Sequence, residues 1–206
     1  MIVSASSRQA TNRVARLHRM DTSNPRIVDE IMGNFAARGG RHYGEQVTEL
    51  QHALQCATFA ERNGEATSLV AACLLHDYGH LLHDLGEDIA DKGVDARHEE
   101  VGANWLKRHF VEEVVEPVRL HVSAKRYLCW KEADYLSGLS EASLLSLKLQ
   151  GGPMTDEEGR EFEALPHHDA AVRLRRYDDM GKMSDMKTPD IAEFRSLVES
   201  FVLKSA

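Results

Sequence analysis

The sequence has little cysteine, no excess of positive charge and no long apolar run. These absences argue against a thiolate zinc protein, a nucleic-acid-binding protein and a membrane-spanning protein, respectively. Its 206 residues include 3 cysteines, none in a Cys-x-x-Cys pair, which argues against a thiolate zinc site. The formal net charge of -8 argues against nucleic acid as a partner, because binding to a phosphate backbone requires an excess of Lys and Arg. No stretch approaches the roughly 20 apolar residues that span a bilayer. We therefore expect a cytoplasmic protein that binds neither nucleic acid nor membrane and that could form homo-oligomers.

Proline and alternating runs of β-branched residues are also scarce, and helical periodicity takes their place. With 5 prolines in the chain, apolar residues recur mainly at helical spacing. Ser140, and Thr188 followed by Pro189, are typical of helix N-termini. The stretch 81–96 is rich in Asp and Gly and is predicted to be a loop. Helices are predicted over residues 45–62, 67–76, 98–110, 112–127, 140–149, 156–165, 168–178 and 189–203, which together make an all-α bundle.

Histidine is abundant, and one histidine stands beside an aspartate at the end of the most apolar helix. The chain has 11 histidines, and the segment LLHDYGH places His76 and Asp77 directly after the apolar run LVAACLL. Burying an imidazole and a carboxylate there is costly unless a cation compensates them. Imidazole and carboxylate together suit a transition metal, and a carboxylate can bridge two ions. This dipeptide is therefore a candidate metal site.

Three more histidines and one more aspartate recur on neighbouring predicted helices. The intervals from His52 to His76, to His98 and to His121 are nearly equal, each about one helix plus a loop. Antiparallel packing of such helices brings one residue from each to a common point in the core. A single ion seldom takes this many protein ligands, so the pattern predicts two ions. The predicted ligands are His52, His76, Asp77, His98, His121 and Asp178.

Basic side chains follow the candidate ligands at helical spacing. Lys125 lies four residues after His121, and Arg175 lies three residues before Asp178. Residues at such spacing share one helix face, so either cation could hold an anionic substrate beside a metal ion. The alternative for each is a solvated helix face. His80 lies four residues after His76 in the same way and is predicted to face substrate rather than metal.

Several longer segments resemble a known family. The segments are HALQC, LLHDYGH, HEEVGANWL, HVSAKRYL, LQGGPM and RRYDDMGKMSDMKTP. Together with the order of the predicted ligands, these segments resemble the mixed-valent diiron oxygenases that have an HD domain. The resemblance is to the branch that cleaves the carbon–phosphorus bond of α-hydroxyphosphonates. Myo-inositol oxygenase is a more distant relative. The resemblance covers roughly residues 44–190. It implies an HD-domain helical bundle over residues 41–206, preceded by an extension of uncertain structure over 1–40.

The resemblance also implies cofactors and residue roles. Two Fe ions, as an Fe(II)/Fe(III) pair, would use dioxygen as co-substrate, with His52, His76, Asp77 and Asp178 on the first ion. Asp77 would bridge to a second ion held by His98 and His121. The catalytic residues would be Asp77, His80 and Lys125. The substrate-binding residues would be His80, Lys125, Ser143, Ser146, Gln150, Arg175, Glu45 and Tyr43.

One position departs from the family pattern. In the family, a tyrosine can occupy the open coordination position of the second ion and so act as a gate. His42 aligns with that tyrosine, whereas Tyr43 lies one residue closer to the first histidine. Tyr43 could reach the ion by a local shift, His42 could replace it, or this gate could be absent. In the family a glutamate recognises the substrate amine, and Glu45 aligns with it.

The expected reaction is oxidation of an organophosphonate. A 2-amino- or 2-trimethylammonio-1-hydroxyethylphosphonate would give phosphate and a carboxylate such as glycine or glycine betaine. The alternative is an HD-type phosphohydrolase acting on a nucleotide or another phosphate ester, since the same ligands could activate water. A third reading is a module without catalysis, against which the complete ligand set argues. The segments LQGGPM and AKRYL favour the oxygenase.

Overall fold

The computed structural model describes residues 25–42, 46–82 and 95–204, and these ranges contain helices and no β-strand. The prediction of an all-α fold is therefore confirmed. Isolated bridges join His42 to Thr48 and Phe110 to Val202. Two 3₁₀ helices span Leu136–Gly138 and Ile191–Phe194. The α-helices are α1 (Pro25–Arg38), α2 (Glu49–Arg62), α3 (Thr67–Leu75), α4 (Tyr78–Leu81), α5 (His98–Leu106), α6 (Glu112–Lys131), α7 (Glu141–Leu149), α8 (Asp156–Glu163), α9 (His168–Met180) and α10 (Arg195–Ser200).

The centre of the bundle is α3, as its apolar sequence predicts. Every residue from Leu69 to Leu75 is buried, and α3 packs against α2, α6 and α9. A helix that is apolar on all sides has no face to offer to water, so the others surround it. The long helix α6 also packs against α5 and α9. Helices α2, α3, α6 and α9 thus converge. His52, His121 and Asp178 lie on α2, α6 and α9, His76 and Asp77 directly follow α3, and His98 begins α5.

The start of α2 differs from the prediction. The helix begins at Glu49, four residues later than the predicted start, and ends at Arg62 as predicted. The Thr48 hydroxyl accepts a hydrogen bond from the Gln51 N–H at 3.2 Å, and the Gln51 side chain accepts one from the Thr48 N–H at 2.9 Å. This capping box satisfies two N–H groups at the helix end and fixes the start. At α7 the predicted cap is confirmed, because the Ser140 hydroxyl accepts from the Ser143 N–H.

The predicted last helix is wrong. Instead of one helix over 189–203, the chain forms the 3₁₀ helix Ile191–Phe194 and then the short α10. Asp190, not Thr188, is the cap, because its carboxylate accepts from the Ala192 N–H at 2.9 Å. The predicted helix 98–110 ends at Leu106, and the helix predicted over 112–127 continues to Lys131.

The described part of the extension folds onto the bundle. Val28, Ile31 and Phe35 of α1 are buried in the main core. The Asn34 amide donates to the Tyr78 hydroxyl at 2.6 Å, and the Arg38 guanidinium donates to the Leu81 carbonyl at 2.9 Å. The domain boundary near residue 40 stays a prediction. Of the predicted loop 81–96, Leu81 is helical, Leu82 is in a turn, residues 95 and 96 are irregular, and 83–94 lie outside the described residues. In the described ranges no helix combines the length and apolarity needed to cross a membrane.

Candidate metal centre

His76 and Asp77 occupy the turn between α3 and α4, and a glycine lets the next candidate ligand approach them. A Cβ atom added at Gly79 would lie 2.0 Å from the His98 carbonyl oxygen. Only glycine therefore allows α4 to pack so closely on the start of α5. This contact brings His98, the first residue of α5, beside Asp77, and it gives the glycine of LLHDYGH a structural reason.

The first half of the centre gathers two imidazoles and two carboxylates. His52 Nε2 and His76 Nε2 lie 3.1 Å apart. The Oδ2 atom of Asp77 lies 3.2 Å from His76 Nε2 and 3.4 Å from His52 Nε2. The Oδ1 atom of Asp178 lies 3.5 Å from His52 Nε2. These four side chains face a common point.

The second half uses the other oxygen of the same aspartate. Asp77 Oδ1 lies 3.2 Å from His98 Nε2 and 3.6 Å from His121 Nε2. The two imidazole nitrogens lie 3.1 Å apart. Because its two oxygens face different halves, the Asp77 carboxylate is placed to bridge two ions, as the resemblance implies.

The hydrogen bonds of the imidazoles fit bound cations. The Nδ1 atoms of His52, His76 and His121 face the backbone carbonyls of Gly181, Cys73 and Val118 at 2.8, 2.9 and 2.7 Å. An Nδ1–H that donates to a carbonyl leaves the Nε2 lone pair directed at the centre. Two such lone pairs at 3.1 Å repel each other unless a cation lies between them. The donor set therefore fits two metal ions.

Cys56 lies near the first half but behaves as a thiol. Its Sγ atom lies 3.8 Å from His52 Nε2, and it donates to the Tyr177 carbonyl at 3.4 Å. Burial raises the pKa of the Cys56 thiol, so the thiolate that a metal requires is disfavoured. The carboxylates of Asp77 and Asp178 face the same point, so their oxygen atoms compete with the sulfur as metal ligands. We therefore leave Cys56 out of the ligand set.

The charge states of the carboxylates and of His121 suit metal ligation. Burial opposes the charge of Asp77, but His76 and the hydrogen-bonding imidazoles hold the pKa of its carboxyl well below the usual range. Burial opposes the charge of Asp178 likewise, and the Arg175 guanidinium outweighs it and lowers the pKa. Burial, with His98 and His76 nearby, lowers the pKa of His121 to about 3. Anionic carboxylates and neutral imidazole are the forms that bind metals.

A wall of basic and hydroxyl side chains borders the same cavity. Lys125 and Arg175 are 3% and 4% exposed, so neither lies on a solvated helix face. The Lys125 ammonium donates to Ser146 Oγ at 2.8 Å, and Lys182 donates to Ser143 Oγ at 3.1 Å and to Ser140 Oγ at 3.2 Å. We call Lys125, Arg175, Lys182, Ser143 and Ser146 the anion wall; all five line the cavity, together with His52, Asp77, His98, His121 and Asp178.

Arg175 is fixed by four neighbours. It donates to Asp178 Oδ2 at 2.6 Å and to Ser143 Oγ at 3.4 Å. It also donates to the Tyr135 hydroxyl at 3.2 Å and to the carboxylate of Asp179. Tyr135 donates in turn to Asp179. Arg175 thus joins the first half of the centre to the anion wall.

Other predicted substrate residues lie elsewhere. His80 is buried, does not line the cavity, and its ring stacks on that of His98 with centroids 4.1 Å apart. Gln150 ends α7 and does not line the cavity either. The roles predicted for Tyr43 and Glu45 fall outside the described residues, and His42, beside them, is exposed.

Two charged residues of the cavity, Lys182 and Glu49, are not among those predicted from the sequence. Lys182 lies four residues after Asp178, the same interval that separates Lys125 from His121. Glu49 lies three residues before His52 on the same helix α2, so helical spacing is a signal that predicts it. Burial and the neighbouring Asp77 carboxylate raise the pKa of Glu49 to about 8.

Comparison with known proteins agrees with this geometry. The HD domain model matches residues 50–158. A [1-hydroxy-2-(trimethylamino)ethyl]phosphonate dioxygenase (glycine-betaine-forming) from Leisingera caerulea is 45% identical over 179 residues, which cover 86% of this chain and 91% of that protein. A hydroxymethylphosphonate dioxygenase from Gimesia maris is 48% identical over 163 residues, which cover 79% of this chain and 81% of that protein. The chain therefore belongs to the HD-domain family, in the branch that contains these phosphonate dioxygenases.

Proposed function

We propose that the protein is an iron-dependent dioxygenase that cleaves the carbon–phosphorus bond of an α-hydroxyphosphonate. The overall reaction balances as R–CH(OH)–PO₃H₂ + O₂ giving R–COOH + H₃PO₄. The C1–H and C1–P bonds break, C1 gains an oxygen and becomes a carboxyl carbon, and dioxygen accepts four electrons. The relatives' names supply the substrate class, and the residues of the cavity give the proposal its chemistry.

The observation that carries the proposal is the meeting of two features in one cavity. A donor set that fits two ions borders a wall with three cations, Lys125, Arg175 and Lys182. A phosphonate dianion bound to this wall has its oxygens beside ammonium and guanidinium groups, which form strong charge-assisted hydrogen bonds. Its α-hydroxyl then faces the metal centre.

Each residue contributes a separate function. His52, His76, Asp77 and Asp178 would hold the first iron, and Asp77 would bridge to a second iron held by His98 and His121. When bound, an Fe(II)/Fe(III) pair supplies redox chemistry with dioxygen that no side chain can provide. The Nδ1–H hydrogen bonds of His52, His76 and His121 fix the ligand orientations.

The anion wall orients the substrate. Ser143 and Ser146 already accept hydrogen bonds from Lys182 and Lys125. A phosphonate can take over these bonds without leaving a buried ammonium unpaired, since its oxygens replace the hydroxyls as acceptors. Arg175 is rigid because four neighbours hold it, so little ordering is needed on binding.

The remaining predicted roles stay within this proposal. His80 would act through His98, on which it stacks, and so would orient a ligand. Gln150 would support the end of α7, the helix that carries Ser143 and Ser146. Tyr43 and Glu45, which precede α2 in the sequence, would contribute to the gate at the second iron and to recognition of the substrate amine.

The test compares oxidation with hydrolysis. The protein is loaded with iron anaerobically and supplied with hydroxymethylphosphonate, 1-hydroxy-2-(trimethylamino)ethylphosphonate or a phosphate monoester. We expect phosphate release from a phosphonate that requires dioxygen and iron. Phosphate release from the monoester that proceeds without dioxygen, with no turnover of either phosphonate, would instead establish the phosphohydrolase alternative.

A further inference from the structure

Gln55 is a buried amide on α2 that holds the chain after the end of α9. It is 2% exposed, and neither the metal centre nor the anion wall includes it. Its Nε2 atom donates to the Met183 carbonyl at 2.7 Å, and its Oε1 atom accepts from the Met183 N–H at 2.9 Å. One side chain thus bonds both polar backbone groups of a distant residue, which requires a donor and an acceptor on the same group.

The segment that Gln55 holds depends on its neighbours for its position. Residues 181–190 form irregular backbone and one turn between α9 and the 3₁₀ helix Ile191–Phe194. Irregular backbone lacks the regular hydrogen bonds that hold a helix, so bonds to adjacent elements set its path. The Met183 side chain is 49% exposed, so the position of this residue depends on its backbone more than on burial.

A second anchor comes from the same face of α2. His52 Nδ1 faces the Gly181 carbonyl at 2.8 Å. His52 and Gln55 lie three residues apart on the helix, so their side chains share one face. Lys182 therefore stands between two residues whose backbone α2 holds, Gly181 on one side and Met183 on the other.

The Lys182 side chain extends from this held backbone to the start of α7. Its ammonium donates to Ser143 Oγ at 3.1 Å and to Ser140 Oγ at 3.2 Å. A lysine side chain is long and flexible, so its ammonium keeps one position only if the backbone that carries it is fixed. If Met183 were released, the ammonium would be in place in a smaller fraction of molecules, and the apparent affinity for an anion would fall by that fraction.

We propose that Gln55 is a positioning residue for substrate binding, which acts through the Met183 backbone to hold the Lys182 ammonium in the anion wall. The inference rests on the proposed function and adds a residue that does not line the cavity. Helix α2 supplies the metal ligand His52 and, through Gln55, also positions one cation of the anion wall. The metal centre and the phosphonate site are thus built on the same helix.

The test measures binding of the hydroxyphosphonate that the protein turns over, hydroxymethylphosphonate or 1-hydroxy-2-(trimethylamino)ethylphosphonate. Calorimetry on the iron-loaded protein without dioxygen gives the Kd, because no turnover then occurs. Gln55→Leu has a side chain of similar size and lacks both bonds to Met183. We expect its Kd to rise by about tenfold, as in Lys182→Met, because a hydrogen bond from a charged group contributes about a factor of ten or more.

The double variant Gln55→Leu/Lys182→Met distinguishes positioning from general support of the fold. It should bind no more weakly than Lys182→Met alone, because Gln55 acts through that ammonium. With dioxygen present, KM should rise in Gln55→Leu while kcat stays close to the wild-type value, since the wall binds substrate equally before and during the reaction.

Thr58→Val is the matched control for a loss of stability. Thr58 is also buried on α2, and its hydroxyl donates to the Leu54 carbonyl of the same helix at 2.6 Å. Removing that bond should leave the Kd unchanged. If Gln55→Leu does not fold, Gln55→Met, with a flexible side chain of similar length, takes its place with the same expected rise in Kd.

The contrary outcomes separate the possible failures. An unchanged Kd in Gln55→Leu, or an equal rise in Thr58→Val, would overturn the role of Gln55 and leave the dioxygenase standing. Effects that multiply in the double variant would also overturn it, since Gln55 would then act independently of Lys182. So would loss of iron from Gln55→Leu, since Gln55 would then act through His52. A wild type without dioxygen-dependent turnover of either phosphonate would overturn the proposed function itself.

Discussion

Replacing Lys125 by methionine removes one cation from the anion wall while keeping a long, flexible side chain in the core. Lys125 is 3% exposed and its ammonium donates to Ser146 Oγ at 2.8 Å. In the proposed complex this ammonium binds a phosphonate oxygen. A hydrogen bond to a charged group contributes about 1.5–3 kcal/mol. Its loss corresponds to a rise of about 10- to 150-fold in KM, since about 1.4 kcal/mol is a factor of ten.

The effect should fall on substrate binding and not on the metal centre. The ammonium is not a ligand, so Lys125→Met should retain the iron content of the wild type. Steady-state kinetics with a hydroxyphosphonate, together with iron analysis of the same preparation, measure both quantities. Lys131→Met is the matched control, because Lys131 lies on the same helix, is exposed and pairs with Glu163 at 2.8 Å. An unchanged KM in Lys125→Met, or loss of iron, would refute the reasoning.

Three further changes test other parts of the account. His98→Ala should reduce bound iron from two ions to about one per chain and abolish turnover with the helical circular dichroism retained; retained turnover would refute the ligand assignment. Gly79→Ala should lower the free energy of unfolding by about 3 kcal/mol, because the added Cβ meets the His98 carbonyl. Gly33→Ala in α1, where a Cβ has nothing within 4 Å, should raise the free energy of unfolding by about 0.5–1 kcal/mol. Denaturant titration measures both changes, and equal effects would contradict the packing argument. Burial and the nearby Arg175 lower the pKa of Lys125 to about 7, so the charged form is lost as the pH rises through that value. The fall of kcat/KM above about pH 7 should therefore be steeper in the wild type than in Lys125→Arg, whose guanidinium stays charged, and superimposable pH profiles would contradict this assignment.

The helices and the ligand set could be predicted because both follow from short-range periodicity and from chemistry that is costly to bury. The apolar run before His76 predicts the central helix α3, and its burial is confirmed. The spacing of His52, His98 and His121 predicts convergence, and the structure brings these side chains together. The pairing of ligands into two halves depends on which oxygen of Asp77 faces which imidazole, and sequence spacing does not determine that.

The errors have local physical causes. The late start of α2 comes from the Thr48 capping box, which outweighs the amphipathic pattern that precedes it. The predicted helix over 189–203 fails because the Asp190 side chain caps a 3₁₀ turn inside it. Lys182 was not selected because it follows the end of α9, where helical periodicity no longer predicts direction.

The origin of the oxygen atoms in the products tests the central claim most directly. The iron-loaded protein is given an α-hydroxyphosphonate under ¹⁸O₂ in unlabelled water, and the phosphate and carboxylate are analysed by mass spectrometry. The account predicts at least one ¹⁸O atom in the phosphate and carboxylate of each turnover, because dioxygen supplies oxygen to the products as it oxidises the substrate. Phosphate and carboxylate that both lack ¹⁸O from the gas, with phosphate labelled only when the water is H₂¹⁸O, would contradict it.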